Sequence, residues 1–355
     1  MAAQVTMQQV ADLAGVSAKT VSNVMRGTGG ASQATRERVL AAVRELGYRV
    51  NPRAAALRSG RHEAIALAVP TLQQPTYALL AAELMRAAEP ASVVLELTRG
   101  ERRTELALLQ GSWRSRCDAL VLVPRGTDPA AQAYRDADDA VVLIADDGPA
   151  ELTRITCPPQ AQGDLVARHL SDLGRRRAAV LGVTDPADRW TEACEASLRR
   201  AGLEVPPQAV IRLAEPDGVR GGVEAVARLL HQGSDVEAVV CHNDAIASGV
   251  LSTLLRRGAR VPEDVVVIGR GDTETAAFAT PSLTSVSCAA AATAAAATAH
   301  FRARLTDPLP RPRTIEVAPA LTVRRSSSST SSESSGSSES SGPLGSSETS
   351  GSSGT

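Results

Sequence analysis

Apolar residues recur at helical spacing through the first fifty residues and predict three short helices. The inward-facing positions are Val10, Leu13 and Ala14 in the first helix, Val21 and Val24 in the second, and Val39, Val43 and Leu46 in the third. Thr6, Ser17 and Ser32 precede these helices and can cap their first turns, and Gly47 supplies a left-handed stop after the third. Two short helices joined by a turn at Gly15, with a third helix as support, are typical of a helix-turn-helix.

Residues 51–60 predict a fourth, shorter helix. Pro52 suits the first turn of a helix, three consecutive alanines favour its interior, and Gly60 ends it. About two turns of helix are not stable alone in water, so this segment is expected to order only when something packs on it.

From Ala64 onward, short apolar runs alternate with longer amphipathic segments. The runs are Ile65–Val69, Val93–Leu97, Ala119–Val123, Val141–Ile144, Ala178–Leu181, Val236–Cys241, Val265–Ile268 and Ile315–Val317. The segments between them include Tyr77–Ala88, Leu165–Leu173, Glu192–Ala201 and Val223–His231. Alternation of this kind predicts doubly wound parallel sheets, and the number of runs indicates two sheets.

The chain after Arg325 consists almost entirely of Ser, Gly, Glu and Thr. Such a composition offers nothing to bury, so residues 326–355 are predicted to form a disordered tail. The tail has no leucine heptads and therefore no coiled-coil assembly device.

Charge is distributed unevenly along the chain. The net charge is −1 overall, but residues 1–60 carry eight basic and three acidic side chains, which leaves −6 for the remainder. A basic module on an acidic body favours a polyanion as the partner of the first part, although a solvated charged face has the same composition. Aromatic residues make up only 2% of the chain, so Ala, Val and Leu must fill the cores.

Several classes of function find no support in the sequence. The five cysteines are scattered without CxxC spacing, so neither a disulfide framework nor a metal site is indicated. No Walker, GxSxG or HExxH motif is present, and the five histidines are dispersed, so we expect no enzyme and no cofactor. The N-terminus resembles no signal peptide, and no apolar run approaches about 20 residues. We therefore expect a soluble, cytoplasmic protein that associates with the nucleoid.

Many positions of the first sixty residues agree in order and spacing with one known family: Val5-Thr6, Val10-Ala11, Ala14-Gly15-Val16-Ser17, Thr20-Val21-Ser22, Thr35–Val39, Leu46-Gly47-Tyr48, Asn51-Pro52-Arg53-Ala54, Leu57 and Gly60. In these positions the chain closely resembles the lactose/galactose-repressor (LacI–GalR) family. The body is also similar, with Pro70 to Tyr77 after the first strand and Asn243-Asp244 after a later one. The resemblance covers about residues 4–325 and is weaker beyond residue 160.

This resemblance implies an all-α headpiece on a two-lobed α/β body of the type I periplasmic-binding-protein kind. The expected divisions are a helix-turn-helix domain at 4–50, a hinge helix at 51–60 and an effector-binding and dimerisation domain at 61–325. Lobe 1 would span about 61–157 and 289–317, and lobe 2 about 158–288 and 318–325. The implied function is a transcriptional regulator that binds a palindromic operator as a homodimer and responds to a small molecule, a sugar or related metabolite, between its lobes.

The resemblance also assigns DNA contacts to residues of this chain. Ala18, Lys19 and Asn23 match base-reading positions, where Lys19 can donate to guanine and Asn23 can pair with adenine. Phosphate or backbone contacts are implied for Thr6, Ser17, Thr20, Ser22, Asn51, Arg53 and Ala54. Leu57 matches the hinge leucine that wedges between central base steps, or it packs the hinge against the body.

The resemblance implies effector contacts for six residues, of which Asp146, Asn243 and Asp272 are polar groups at strand ends that face the cleft. The other three are Pro70, Tyr77 and Arg189. Asn243 has a second interpretation as the cap of the following helix. The chain departs from the family at Gly269-Arg270-Gly271-Asp272, where an aromatic residue followed by Asp is usual, and at Cys157-Pro158-Pro159. The effector-binding Arg of the family falls near Arg189 or Trp190, depending on a one-residue register.

Three other functions remain open at this point. A binding protein that has lost its DNA function is disfavoured by the intact headpiece, and a sugar kinase or oxidoreductase is disfavoured by the missing motifs. A regulator that binds DNA without an inducer fits the departures from the family in the cleft.

Overall fold

The computed structural model describes residues 5–25, 27–48, 61–125, 140–184, 188–214, 218–304 and 311–328. The predicted hinge helix at 51–60 lies outside these ranges. None of the helices in them combines the length and apolarity that a bilayer span requires.

Three helices form the N-terminal domain: α1 (Met7–Ala14), α2 (Ala18–Met25) and α3 (Gln33–Leu46). Thr6 and Ser32 cap α1 and α3 as predicted, and Gly47 ends α3 in the left-handed conformation. The core of the domain consists of Val10, Ala11, Ala14, Val21, Val24, Val39, Ala42 and Tyr48. Leu13 was expected to face inward, but it is 48% exposed, because Ala11 takes the inner face of α1 beside Val10 and Ala14.

The first lobe of the body is a parallel sheet of six strands in the order β11-β5-β4-β3-β1-β2. Its strands are β1 (Ala64–Val69), β2 (Ser92–Leu97), β3 (Ala119–Leu122), β4 (Val141–Ile144), β5 (Thr153–Thr156) and β11 (Thr314–Glu316). Helices α4 (Pro75–Ala88) and α11 (Ala290–Arg304) cover one face, and α5 (Arg102–Leu109) covers the other.

The second lobe repeats this plan in the strand order β12-β10-β9-β8-β6-β7, with β12 antiparallel to β10. Its strands are β6 (Ala178–Val183), β7 (Val210–Leu213), β8 (Ala238–Cys241), β9 (Val266–Arg270), β10 (Thr284–Ser287) and β12 (Ala320–Thr322). Helices α6 (Pro159–Asp172) and α7 (Trp190–Arg200) cover one face. Helices α8 (Gly218–His231) and α9 (Asp244–Arg256) cover the other, and the short α10 (Glu274–Ala277) precedes β10.

The predicted architecture, a helix-turn-helix followed by two doubly wound sheets, is confirmed. All eight apolar runs form strands, but β5, β7, β10 and β12 were not predicted. The chain passes from the first sheet to the second after β5, returns after β10, and passes again between β11 and β12. These passages bring the carboxyl ends of the strands of both sheets to one region between the lobes.

The expectation that nothing after Arg325 can be buried is wrong for two residues. Ser326 is 0% exposed and Ser327 is 2% exposed. The Ser326 hydroxyl donates to the Val267 carbonyl at 2.6 Å and accepts from the Thr284 amide at 2.9 Å. Serine is buried here because its polar groups are hydrogen-bonded to a strand edge, which composition alone does not reveal. Residues 329–355 of the predicted tail lie outside the described ranges.

Candidate functional site

The N-terminal half of α2 presents polar groups at the surface of the first domain. Lys19 is exposed, and Ala18, Ser22 and Asn23 are half-buried. Val21 and Val24 hold the opposite face of α2 against α1 and α3, so the outward positions are fixed by packing. This is the arrangement that lets a helix read base edges in a major groove.

The start of α2 is held by local hydrogen bonds. The Ser17 hydroxyl accepts from the Thr20 amide at 3.1 Å and lies 2.9 Å from the Thr20 hydroxyl. Thr6 caps α1 in a reciprocal box with Gln9. Ser17 and Thr6 therefore stabilise the first turns of α2 and α1 through these hydrogen bonds, independently of any contact with phosphate. Of the other residues assigned to DNA, Asn51, Arg53, Ala54 and Leu57 lie outside the described residues.

A cavity of about 510 Å³ lies between the two lobes of the body. Both sheets contribute to it, and the segments that pass between the lobes add Cys157 and Cys288. Its lining residues are Gln74, Thr76, Tyr77, Leu80, Arg102, Val123, Pro124, Arg125, Ile144, Ala145, Asp146, Asp147, Ile155, Thr156, Cys157, Val183, Asp188, Arg189, Trp190, His242, Arg270, Cys288, Ala290 and Thr293. The volume falls in the range of pockets that hold small metabolites.

The guanidinium of Arg270, the last residue of β9, lies in this cavity. Its Nε donates to the Gln162 side-chain oxygen at 2.6 Å, and its Cζ lies 5.7 Å from the centre of the Trp190 ring. Burial would lower the pKa of Arg270, but the charges around it, including Asp146 and Asp188, raise that pKa above its usual value. The side chain is therefore a fixed cation in the cavity wall.

Acidic side chains occupy the lobe 1 side of the cavity. Asp146 Oδ1 accepts a hydrogen bond from the Thr156 hydroxyl at 2.8 Å. Burial raises the pKa of the Asp146 carboxyl, and the hydroxyl of Thr156 and the charge of Arg270 oppose that rise. Asp147 accepts from Arg189 Nε at 2.9 Å in an ion pair that is about half exposed on both sides. Among the described residues no donor reaches the other oxygen of Asp146, and a carboxylate oxygen of this kind suits the hydroxyl groups of a polyol.

The carboxylate of Asp188 accepts hydrogen bonds from the start of α7. Its Oδ1 accepts from the amides of Trp190 at 3.0 Å and Thr191 at 3.3 Å and lies 3.5 Å from His242 Nε2. Its Oδ2 accepts from the Thr191 hydroxyl. Burial alone would raise the pKa of Asp188, but His242 and the donors of Thr191 hold it well below its usual value. Asp188 therefore positions Trp190 and His242, whose rings meet edge to face at 5.5 Å.

We expect the substitution Asp188→Asn to lower the free energy of unfolding at pH 7 by roughly 1.5–3 kcal/mol, because it removes charged hydrogen bonds. Since folding lowers the pKa of Asp188, its contribution is complete above the unfolded value of about 4 and is lost as the pH falls towards the folded value. The difference in the free energy of unfolding between wild type and Asp188→Asn should thus decrease by about 1 kcal/mol between pH 7 and pH 3, as measured by urea titration. The control Asp147→Asn, in an exposed pair, should change little. A gap that stays constant between the two pH values would contradict this assignment.

The structure brings three of the six proposed effector residues together: Tyr77, Asp146 and Arg189 line the cavity. Asn243 does not line it. The Asn243 side chain caps α9 by accepting from the Ile246 amide at 2.8 Å, which is the second interpretation given above. Asp244 is also structural, because its buried carboxylate accepts from Thr273 and Ser285.

Pro70 and Asp272 also lie outside the cavity lining. Asp272 accepts from Arg324 at 2.7 Å and from the Thr322 hydroxyl at 2.7 Å, so its carboxylate ties β12 and the segment after it to the end of β9. Pro70 is buried directly after β1. A position at a strand end is thus not sufficient to place a residue in the cavity lining.

Sequence reasoning missed Arg270, Asp188, His242 and Gln162 as site residues, and it named Trp190 only as the alternative register to Arg189. Arg270 was visible as a departure from the family, and its position at a strand end was a usable signal. His242 also lies at a strand end, directly after β8, whereas Asp188 and Gln162 depend on how α6 and α7 pack, which no local pattern reports. Cys157 and Cys288 also line the cavity. Both are protonated thiols, because burial raises the pKa of each, that of Cys157 to about 12. Within the described ranges, no three His, Cys, Asp or Glu side chains come together as a metal site would need.

Comparison with known proteins identifies both parts of the chain. The model of bacterial regulatory proteins of the lacI family matches residues 6–51, and the model of the periplasmic binding protein-like domain matches residues 167–327. The ribose operon repressor of Escherichia coli (strain K12) is 30% identical over 336 residues, which cover 91% of this chain and 99% of that protein.

Solved structures agree with these matches. A transcriptional regulator of the LacI family from Silicibacter pomeroyi superposes with a TM-score of 0.71 at 26% identity and covers 90% of this chain and 98% of its own. The complex of the transcriptional regulator CelR with cellobiose superposes with a TM-score of 0.65 at 27% identity and covers 91% of this chain and 100% of its own. This chain therefore belongs to the LacI family of bacterial regulatory proteins, with a DNA-binding domain joined to a periplasmic-binding-protein-like effector domain.

Proposed function

We propose that the protein is a transcriptional repressor that binds a palindromic operator as a homodimer, with an affinity that depends on a small molecule in the interlobe cavity. The observation that carries the proposal is the cavity of about 510 Å³, whose walls come from both lobes of a chain that also presents an exposed DNA-reading helix. A ligand that contacts two lobes favours one arrangement of them over another, which is the requirement for control by an effector. This cavity also favours an effector-responsive repressor over a regulator without an inducer.

The dimer follows from the size of a single headpiece. Three positions on α2 offer too few base contacts for a specific site in a genome, whereas two headpieces double the contact set. A twofold-symmetric dimer reads an inverted repeat. The hinge at 51–60 is proposed to order in the minor groove between the two headpieces, with Leu57 as its apolar wedge.

The effector is proposed to be a sugar or a related metabolite. Asp146 offers a carboxylate, Arg189 an exposed guanidinium and Tyr77 an aromatic ring, and such a mixture suits the hydroxyls and apolar face of a sugar ring. The relatives named above are a ribose operon repressor and a regulator in complex with cellobiose, which supports the same class.

Selection from random DNA is expected to return an inverted repeat with adjacent half-sites. Lys19→Ala and Asn23→Ala should each relax base preference at one position of each half-site, because they remove contacts to base edges. Arg53→Ala should weaken binding to all sequences alike and reduce the slope of affinity against salt, because Arg53 is assigned to phosphate. A consensus without twofold symmetry would refute the dimer, and a consensus altered by Arg53→Ala but not by Lys19→Ala would reverse the assigned roles.

A further inference from the structure

One edge of the Arg270 guanidinium is held by a relay that starts in the backbone. Gln162 is fully buried and donates from Nε2 to the Cys157 carbonyl at 2.7 Å. Its oxygen is thereby turned towards Arg270 and accepts from Nε at 2.6 Å. The Trp190 ring, 1% exposed, lies against the same guanidinium. The Arg270 side chain is thus oriented by two buried side chains, Gln162 and Trp190.

The other edge of the guanidinium has no comparable partner. Among the described residues, Nε is the only atom of Arg270 that donates a hydrogen bond, and no carboxylate forms an ion pair with the side chain. Asp188 accepts from the start of α7 and lies beside His242, and Asp146 accepts from Thr156 through one oxygen, but neither carboxylate accepts from Arg270. The two terminal nitrogens of Arg270 are therefore left to the cavity. Asp146 and Asp188 stabilise the charge of Arg270 from a distance without accepting a hydrogen bond from it, so its two terminal nitrogens are open to the oxygens of a ligand.

We propose that the effector carries an anionic group, a carboxylate or a phosphate, which Arg270 binds through its two terminal nitrogens. This inference rests on the proposed role of the cavity as the effector site. The guanidinium fork matches the paired oxygens of either group, and a fixed fork loses little freedom when it binds. The hydroxyls of the same ligand would meet Asp146 on the lobe 1 side, so the class of ligand is a sugar acid or a sugar phosphate.

The balance of charge around the cavity supports an anion. Four arginines line it against three aspartates, and one of the arginines, Arg189, forms an ion pair with Asp147. Arg102 and Arg125 belong to the lobe 1 side, whereas Arg270 belongs to lobe 2. An anion between them would contact cations of both lobes and draw the lobes together.

Calorimetric titration of the full chain tests the charge of the ligand. The probes are D-gluconate and D-ribose 5-phosphate as anions, D-glucose and D-ribose as their neutral counterparts, and inorganic phosphate without a polyol. We expect at least one anionic polyol to bind more tightly than its neutral counterpart and than inorganic phosphate. Arg270→Met should weaken that binding about thirtyfold or more, because it removes one partner of a desolvated ion pair. Arg270→Lys, which keeps the charge without the fork, should lie between the two.

A matched control and a stability measurement exclude a purely structural role for Arg270. Arg212→Met removes an arginine from the exposed pair with Glu192 in the same lobe and should leave ligand binding unchanged. Without ligand, Arg270→Met should stay folded and melt within a few degrees of the wild type, because it removes one hydrogen bond, to Gln162, and the attraction of Asp146 and Asp188. A melting temperature lower by about 10 °C or more would identify Arg270 as a structural group.

The outcomes separate this inference from the proposed function. If only neutral sugars bind, or if Arg270→Met leaves anion binding intact, the inference is overturned while an effector site remains. If no probe of either charge binds, the inference is overturned as well. If an anionic polyol binds through Arg270 but operator affinity is the same with and without it, the inference stands and effector control of DNA binding does not.

Discussion

Truncation of the chain after Arg325 is expected to lower its melting temperature by about 10 °C or more, whereas truncation after Ser328 is expected to leave it unchanged. The cause is the set of hydrogen bonds that Ser326 makes across the second sheet. Its backbone accepts from the Val267 amide at 3.1 Å and donates to the Ser282 carbonyl at 2.8 Å. Its hydroxyl bridges the Val267 carbonyl and the Thr284 amide. Without Ser326, buried groups of β9 and β10 would be left without partners.

Ser327 extends the same network. Its hydroxyl lies 2.6 Å from the Thr284 hydroxyl and 2.8 Å from His169 Nε2, so it joins β10 to α6. The two serines together account for about six hydrogen bonds, each worth about 1 kcal/mol net, and the loss of several should cost roughly 4 kcal/mol. For a domain of this size, 1 kcal/mol corresponds to about 2–4 °C in melting temperature.

Calorimetry on the two truncated chains checks this expectation, and the chain that ends at Ser328 serves as the control. Ser326→Ala in the full chain should produce part of the effect, because it removes only the hydroxyl. If both truncated chains melted like the full protein, the buried serines would add nothing to stability. If the shorter one lost only DNA binding and kept its melting temperature, these serines would be linked to operator binding rather than to the fold.

The hydrogen bonds of these serines also show why some buried strands can be predicted from sequence and others cannot. Runs such as Ala64–Val69 are buried on every residue and stand out as continuous apolar stretches. Three of the four residues of β10 are also buried, yet the strand reads Thr-Ser-Val-Ser, because the Ser285 hydroxyl donates to Asp244 and the Thr284 hydroxyl and amide pair with Ser327 and Ser326. Its partners lie some forty residues away along the chain in either direction, so no local pattern marks it as a core strand.

The cavity gives a similar lesson. Placement at a strand end selected Asp146 correctly for the lining, but the same criterion also selected Asn243 and Asp272. Whether such a side chain faces the cavity depends on its hydrogen bonds elsewhere in the fold. The first turn of α9 donates to Asn243, and Arg324 donates to Asp272. The sequence left open whether Arg189 or Trp190 matches the effector-binding residue of the family, and in the structure both residues line the cavity. Trp190 is buried and Arg189 is about half exposed in its pair with Asp147.

The headpiece was the most predictable part, for a physical reason. Its helices are short and local, so caps such as Thr6 and Ser32 and a stop such as Gly47 determine where they begin and end. What the sequence could not settle was the inner face of α1, where Ala11 is preferred to Leu13. A small residue fits where α1 packs closely on both α2 and α3, and spacing alone does not distinguish it from a neighbouring leucine.

Leu57→Ala is expected to weaken operator binding about ten- to a hundredfold while it leaves non-specific DNA binding almost unchanged. Non-specific binding comes from the neutralisation of phosphates by the basic headpiece, which this substitution does not touch. The proposed wedge acts only when the hinge orders in a kinked minor groove, so its loss removes a contribution that belongs to the operator complex alone. Burial of one leucine is worth roughly 1.5–3 kcal/mol, which gives the expected range.

Bending of the operator should decrease together with affinity, and the mobility of circularly permuted fragments measures it. Leu57→Met keeps the apolar volume and serves as the matched control, so it should bend and bind DNA nearly as well as the wild type. Arg53→Ala provides the opposite pattern, because loss of a phosphate contact should weaken specific and non-specific binding together. If Leu57→Ala preserved both affinity and bending, Leu57 would be a residue that packs the hinge against the body, and the kink in the operator would need another source.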